Sequence, residues 1–273
     1  MDIERIAEEH GIIGRRTDLR AVAACLQAHR NVLLEGPVGV GKTALARAVA
    51  AGAERGFIRV DGDARYTESK LVGHFDPPGV LARGYLPELF VPGPLVLAMQ
   101  QGAVLFINEL NRMPEGVQNV LLPALDEGLI VVPRYGNIHA ASGFSVVATQ
   151  NPSEFVATGH LSEALLDRFE LVVLDYQPAE EECAIVTQQV RGPLPAALIA
   201  EAVALARATR EDPRIRRGAS IRAAVAIADL AQALDGDLAL AAKLALPTRI
   251  ELGAEHEEVS IDRLIADFQK KNR

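Results

Sequence analysis

The sequence predicts a three-layer α/β domain on a mainly parallel five-stranded sheet, followed by a small all-α domain. Three observations carry that expectation. Five short apolar runs are separated by segments of helical texture: Val32–Leu34, Gly56–Asp61, Ala103–Ile107, Phe144–Thr149 and Leu171–Leu174. Such runs, alternating with helical segments, fit a mainly parallel sheet covered on both faces. A glycine-rich loop follows the first run directly and opens onto a strongly helix-forming stretch, Ala44–Ala50. From Glu180 onward the chain is Ala/Leu-rich with helical periodicity and no good strand candidate, which sets a boundary near Gln177-Pro178.

Taken in order, Ile3–Gly14 reads as a short helix and a turn. Asp18–His29 reads as a helix with Leu19, Val22, Ala23 and Leu26 on one face. The first domain is then expected over 1–177 and the helical one over 178–273. Two stretches interrupt the α/β rhythm. Arg65–Pro94 carries Pro77, Pro78, Pro87, Pro92 and Pro94 and is too broken for one helix or strand; long irregular insertions of this kind tend to be functional. Leu129–Ala140 reads as a hairpin, two β-rich arms around Tyr135-Gly136-Asn137. In the helical part, Ala196–Thr209, Ser220–Leu234 and Leu238–Leu246 are helices punctuated by turn material such as Gly192-Pro193 and Asp235-Gly236.

The loop is Gly36-Pro37-Val38-Gly39-Val40-Gly41-Lys42-Thr43, and Ala44 begins the helix beyond it. It matches the P-loop pattern of two glycines five positions apart, then Lys and Ser/Thr. Glycines let successive backbone N–H groups turn inward and approach a polyphosphate closely. Lys42 is expected to reach the β/γ-phosphates, with the Thr43 hydroxyl on Mg²⁺ and the phosphates at a helix N-terminus. In parallel sheets ligands bind beyond the C-terminal ends of the strands. Polar residues stand there: Asn108-Glu109 after the third run and Gln150-Asn151 after the fourth.

Composition narrows the rest. The chain has 273 residues, 49% of them hydrophobic, and a net charge of −8. That size supports a substantial core, and the acidic balance argues against a protein that grips nucleic acid through its overall field. No apolar run approaches a membrane span, and the acidic MDIERIAEEHG start lacks the apolar core of a secretory signal. Cys25 and Cys183 are far apart in helical-looking segments, and the six histidines lack paired ligand spacing, so neither a disulfide nor a metal framework is indicated. A cytoplasmic setting follows.

With these segments lined up, the sequence resembles an AAA+ ATPase of the MoxR type, a branch of the P-loop NTPases. The resemblance rests on LLEGPVGVGKT (33–43), VPGPLVLAM (91–99), VLFINELNRMPEGVQNVLLPALDE (104–127), FSVVATQNP (144–152), LSEALLDRFE (161–170) and GASIRA (218–223). It implies a helical lid after the nucleotide domain, with ATP and Mg²⁺ as cofactors. Asn108-Glu109 takes the Walker B position, where Asp-Glu is usual, so Glu109 is the implied catalytic base and Asn108 the metal-supporting residue. Asn151 matches sensor 1, Arg168 the arginine finger offered to a neighbouring subunit, and Arg222 sensor 2; the alternative for Arg168 is a salt bridge to Asp167 or Glu170. The stretches at about 65–94 and 129–140 match the helix-2 insertion and the pre-sensor-1 hairpin. The resemblance also implies a homo-oligomeric, hexameric ring and a partner with a von Willebrand factor A domain acting on a client enzyme. Asn108 sets a second reading beside the motor, an ATP-binding switch with weak hydrolysis, because an amide carries no charge toward the metal.

Overall fold

The computed structural model of the chain describes residues 1–151, 161–253 and 261–271. Pro152, which ends the FSVVATQNP segment, lies outside the described residues, as does 254–260 of the helical part. The chain divides into two compact units, Met1–Pro37 with Gly41–Asp175, and Val38–Val40 with Tyr176–Arg273.

The first unit holds a five-stranded parallel sheet in the order Phe57–Asp61, Val104–Asn108, Ser145–Gln150, Asn31–Glu35, Phe169–Val173. Burial explains the order. Every residue of Ser145–Gln150 is buried, as are Val104–Ile107 and Val32–Leu34, so these strands occupy the centre. Phe169–Val173 alternates instead, with Leu171 and Val173 exposed, as suits an edge. The helix Arg16–Gln27 buries Leu19, Val22, Ala23 and Leu26, the four residues of the expected face. Pro94–Gln101 opens on a proline, whose missing N–H costs nothing there, and ends at Gly102. Gly102 has φ of +62°, and a Cβ on it would sit 2.2 Å from the Ser142 carbonyl oxygen.

The two expected interruptions are built from pieces too short to show a period. Arg65–Pro94 contains the helices Glu68–Val72 and Pro77–Arg83 and an antiparallel pair, Gly73–Phe75 with Phe90–Pro92. Thr67 and Asp76 cap the two helices through their side chains. The hairpin pairs Leu129–Val132 with Gly136–His139. Its turn falls upstream of the expected position: Gly136 and Asn137 pair with Val132 and Val131, and Arg134 takes the positive φ of +66°.

The second unit is helical, with Ala179–Gln189, Ala196–Glu211, Ile221–Ala233, Leu238–Ala245 and Ile261–Lys271. It departs from an all-α domain by one short ribbon, Ile215–Arg217 with Glu251–Leu252. Three and two residues carry no sequence periodicity, so this pair was invisible beforehand. Glu182, buried in this unit, is held by Arg207 at 3.2 Å and Arg210 at 2.6 Å, the pairing a buried carboxylate requires.

Candidate nucleotide site

The central strand Asn31–Glu35 delivers the loop at the C-terminal edge of the sheet. Gly36, with φ of +150°, leaves no room for a side chain: a Cβ would lie 2.1 Å from the Leu174 carbonyl oxygen. Gly41 is required for a different reason. Space around it is open, but its φ of +93° strains any L side chain. Gly41 is also the N-cap of the helix Lys42–Gly52, and no side chain caps that end. The helix therefore presents its first N–H groups and the positive end of its dipole, a ready anion seat. Lys42 Nζ donates to the carbonyl oxygens of Gly36 at 2.6 Å and Pro37 at 2.9 Å, so the ammonium arches back over the loop. Thr43 is half-buried in the first turn.

At the neighbouring strand ends a hydrogen-bond chain crosses three strands. Glu109 N–H donates to Thr149 Oγ1 at 2.8 Å, Thr149 Oγ1 donates to Asn108 Oδ1 at 3.1 Å, and Asn108 Nδ2 donates to Asp61 Oδ1 at 3.0 Å. The Arg59 guanidinium holds the Asp61 carboxyl below the usual carboxylate range against the opposing effect of burial, with a smaller lowering from the Asn108 amide. Glu109 is in the left-handed region, with φ 57° and ψ 53°, and its carboxylate lies 3.0 Å from Arg112 Nε. Gly62 permits this crossing, since a Cβ there would meet the Glu109 carbonyl oxygen at 2.1 Å. Asn151 is buried after the next strand, and Gln150 Nε2 donates to Glu35 Oε2 at 2.7 Å.

Lys42, Thr43, Asn108, Glu109 and Asn151 thus gather at the C-terminal edge of one sheet. Arg168 does not. It precedes the strand Phe169–Val173, whose first residue pairs with Asn31, the start of the loop-bearing strand. Arg168 therefore stands roughly 17 Å along the sheet from where the loop departs, counting five residues at strand rise. Its guanidinium makes a fork with Asp126, Nε to Oδ1 at 2.6 Å and a terminal nitrogen to Oδ2 at 2.5 Å. The salt bridge envisaged to Asp167 or Glu170 is not the one formed. Glu170 pairs with Arg30 at 2.7 Å, and Asp126 arrives from a helix 42 residues away in sequence. Arg222 belongs to the other unit, exposed in the first turn of Ile221–Ala233, and the N-cap Ser220 makes no capping hydrogen bond through its side chain. Sequence reasoning missed Asp61 and Thr149. Both end or nearly end apolar runs, which was the available signal, but their relevance depends on strand register.

A magnesium ion fits this donor set by its chemistry. Thr43 and Asn108 offer hard oxygens, Asp61 adds a carboxylate beside Asn108, and Mg²⁺ in nucleotide sites takes few protein oxygens besides phosphates and water. Among the described residues no group of three or more His, Cys, Asp or Glu is placed to hold a metal.

The fold and the loop define a P-loop protein whose α/β unit is followed by a helical one. More narrowly, residues 31–169 match the AAA domain, dynein-related subfamily, and the chain belongs to that family. It is similar to the gas vesicle ATPase GvpN2 of Halobacterium salinarum, 35% identical over 77% of this chain and 64% of that protein. It is also similar to YeaC of Bacillus subtilis, 28% identical over 94% of this chain and 87% of that one. The chain thus spans less than two thirds of the gas vesicle relative. A solved protein from Cytophaga hutchinsonii shares the fold, with a TM-score of 0.56 at 22% identity, over 98% of this chain and 93% of that one. These likenesses are consistent with the MoxR-type resemblance.

Proposed function

We propose that this protein is a Mg²⁺-dependent ATP hydrolase of the MoxR AAA+ type that works in the cytoplasm as a homo-oligomeric, hexameric ring. The observation that carries the ring is the position of Arg168. A finger at the far end of the sheet cannot serve its own loop, whereas a head-to-tail neighbour could receive it. Within one chain, Gly36–Ala44 cradle the phosphates and Lys42 exchanges the Gly36 and Pro37 carbonyls for phosphate oxygens. Glu109 takes the proton of the attacking water, which Asn151 helps to position. Thr43 and Asn108 would hold a magnesium ion, which would supply charge neutralisation at the phosphates. Arg168 from next door stabilises the transition-state charge, an effect worth 10³–10⁵ in rate in comparable enzymes, and Arg222 keeps the sensor 2 role that the resemblance implies. The names of the gas vesicle relatives support the ATPase activity.

The finer role is a chaperone or remodelling motor that matures or activates a client protein, with a von Willebrand factor A domain partner. Its support is the family resemblance, together with the two insertions, which meet through the rings of Phe90 and Tyr135. Steady-state ATPase activity measured beside size-exclusion light scattering tests the reading. A ring that forms or tightens with ATP and turns over is expected; a monomer with undiminished turnover would overturn it.

A further inference from the structure

We propose that Asp61 is a positioning residue for the metal of this site, acting through Asn108, so that an amide and a carboxylate on adjacent strands replace one aspartate. The inference rests on the ATPase reading above and deepens it. Asp61 and Asn108 are register partners at the ends of adjacent parallel strands, so their side chains leave the sheet side by side. A carboxylate can only accept hydrogen bonds. The 3.0 Å contact with Asp61 therefore fixes the Asn108 nitrogen toward Asp61 and its oxygen toward Thr149.

The rest of the chain of bonds follows from that orientation. Thr149 gives its one hydroxyl proton to Asn108 Oδ1 and is left to accept the Glu109 N–H. Proton direction is thus set from the backbone of the implied base to the Asp61 carboxylate, with no ambiguity at any step. Aspartate at position 108 would break it twice. It could not donate to Asp61, and it would face a second carboxylate at hydrogen-bond distance, an arrangement that disfavours ionisation of both. Asn108 beside Asp61 keeps one negative charge at the strand ends, displaced by one strand. Arg59 also forks onto Asp61, Nε to Oδ2 at 3.0 Å and a terminal nitrogen to Oδ1 at 2.6 Å, in a pair solvent-exposed on both sides; Asn108 is the partner that ties this carboxylate to the neighbouring strand.

The charge exchange between the two positions is the test, read as Mn²⁺ binding to the ADP complex of the full chain by electron paramagnetic resonance. Asp61→Asn is expected to weaken Mn²⁺ about 10–100-fold, the usual cost of losing a partner behind a metal ligand. Asp61→Ala should do the same. Asn108→Asp alone should not tighten Mn²⁺. The double variant Asp61→Asn/Asn108→Asp should return close to wild type, while ADP binding without metal stays unchanged throughout. A merely structural Asp61 would not be rescued by moving the charge. Wild-type Mn²⁺ affinity in Asp61→Asn or Asp61→Ala overturns the proposal alone, as does a double variant that melts like wild type yet binds like Asp61→Asn. Wild-type protein that gains no Mn²⁺ site with ADP overturns this inference together with the ATPase reading.

Discussion

Thr149 is fully buried, and its hydroxyl serves two neighbours at once, the Asn108 amide and the Glu109 N–H. Thr149→Val keeps the shape and removes both bonds. Leaving a buried donor unmet costs about 1–3 kcal/mol, so thermal melting should show a destabilised protein, with kcat reduced about 10–100-fold as the base loses its anchor. Lys42 makes a separate prediction. Its charge-assisted bonds to phosphate are worth about 1.5–3 kcal/mol, so Lys42→Ala should weaken ATP about 10–100-fold in a fluorescent-nucleotide titration. An unchanged affinity would remove Lys42 from the site. The legibility of these residues differs for a physical reason. The loop's spacing is local and reads directly from sequence, and Glu109 follows from its place after a buried strand. Asp61 lies 47 residues from Asn108 and meets it only through strand pairing, which periodicity does not encode. Asn108 therefore looked like a weakness in sequence and looks like half of a pair in the structure.

The two insertions join at the level of elements. Phe90 from one lies 4.7 Å, centroid to centroid, from Tyr135 of the hairpin, Phe75 contacts both Phe90 and Tyr85, and the Arg134 guanidinium sits 4.3 Å over the Tyr85 ring. Aromatic pairs of this geometry add about 0.5–1.5 kcal/mol each beyond their buried area. Tyr135→Ala should therefore loosen both elements together. Hydrogen exchange should rise in 73–75 and 90–92 as well as in 129–139; a rise confined to the hairpin would show that the two move separately. The sequence marked both stretches as interruptions but not their partnership, since strands of three and four residues and helices of five and seven leave no period. The hairpin turn was misplaced because Gly136-Asn137 suits a turn, yet Val131 and Val132 claim those residues as strand partners. Asp126, which forks onto Arg168, was likewise hidden, because it comes from a different helix.

For the whole molecule, sequence foretold the sheet well because its central strands are buried on both faces and need unbroken apolar runs. Phe106, fully buried in the second of these strands and stacked on Phe57 at 5.3 Å, should be costly to truncate. Phe106→Ala is expected to destabilise by about 3–5 kcal/mol in denaturant titration, whatever the function. The helical unit was foretold in kind, but its two-strand ribbon was not. The proposed ring rests on Arg168 standing at the far end of the sheet from its own loop, and mixing subunits tests that most directly. Glu109→Gln supplies an intact Arg168 but no base, and Arg168→Ala supplies the base but no finger. Each alone should be nearly inactive, and a mixture should recover ATPase activity where an Arg168→Ala subunit receives its neighbour's Arg168. A mixture no more active than its components, with assembly shown by light scattering, or an Arg168→Ala ring that hydrolyses ATP like wild type, would contradict the shared site.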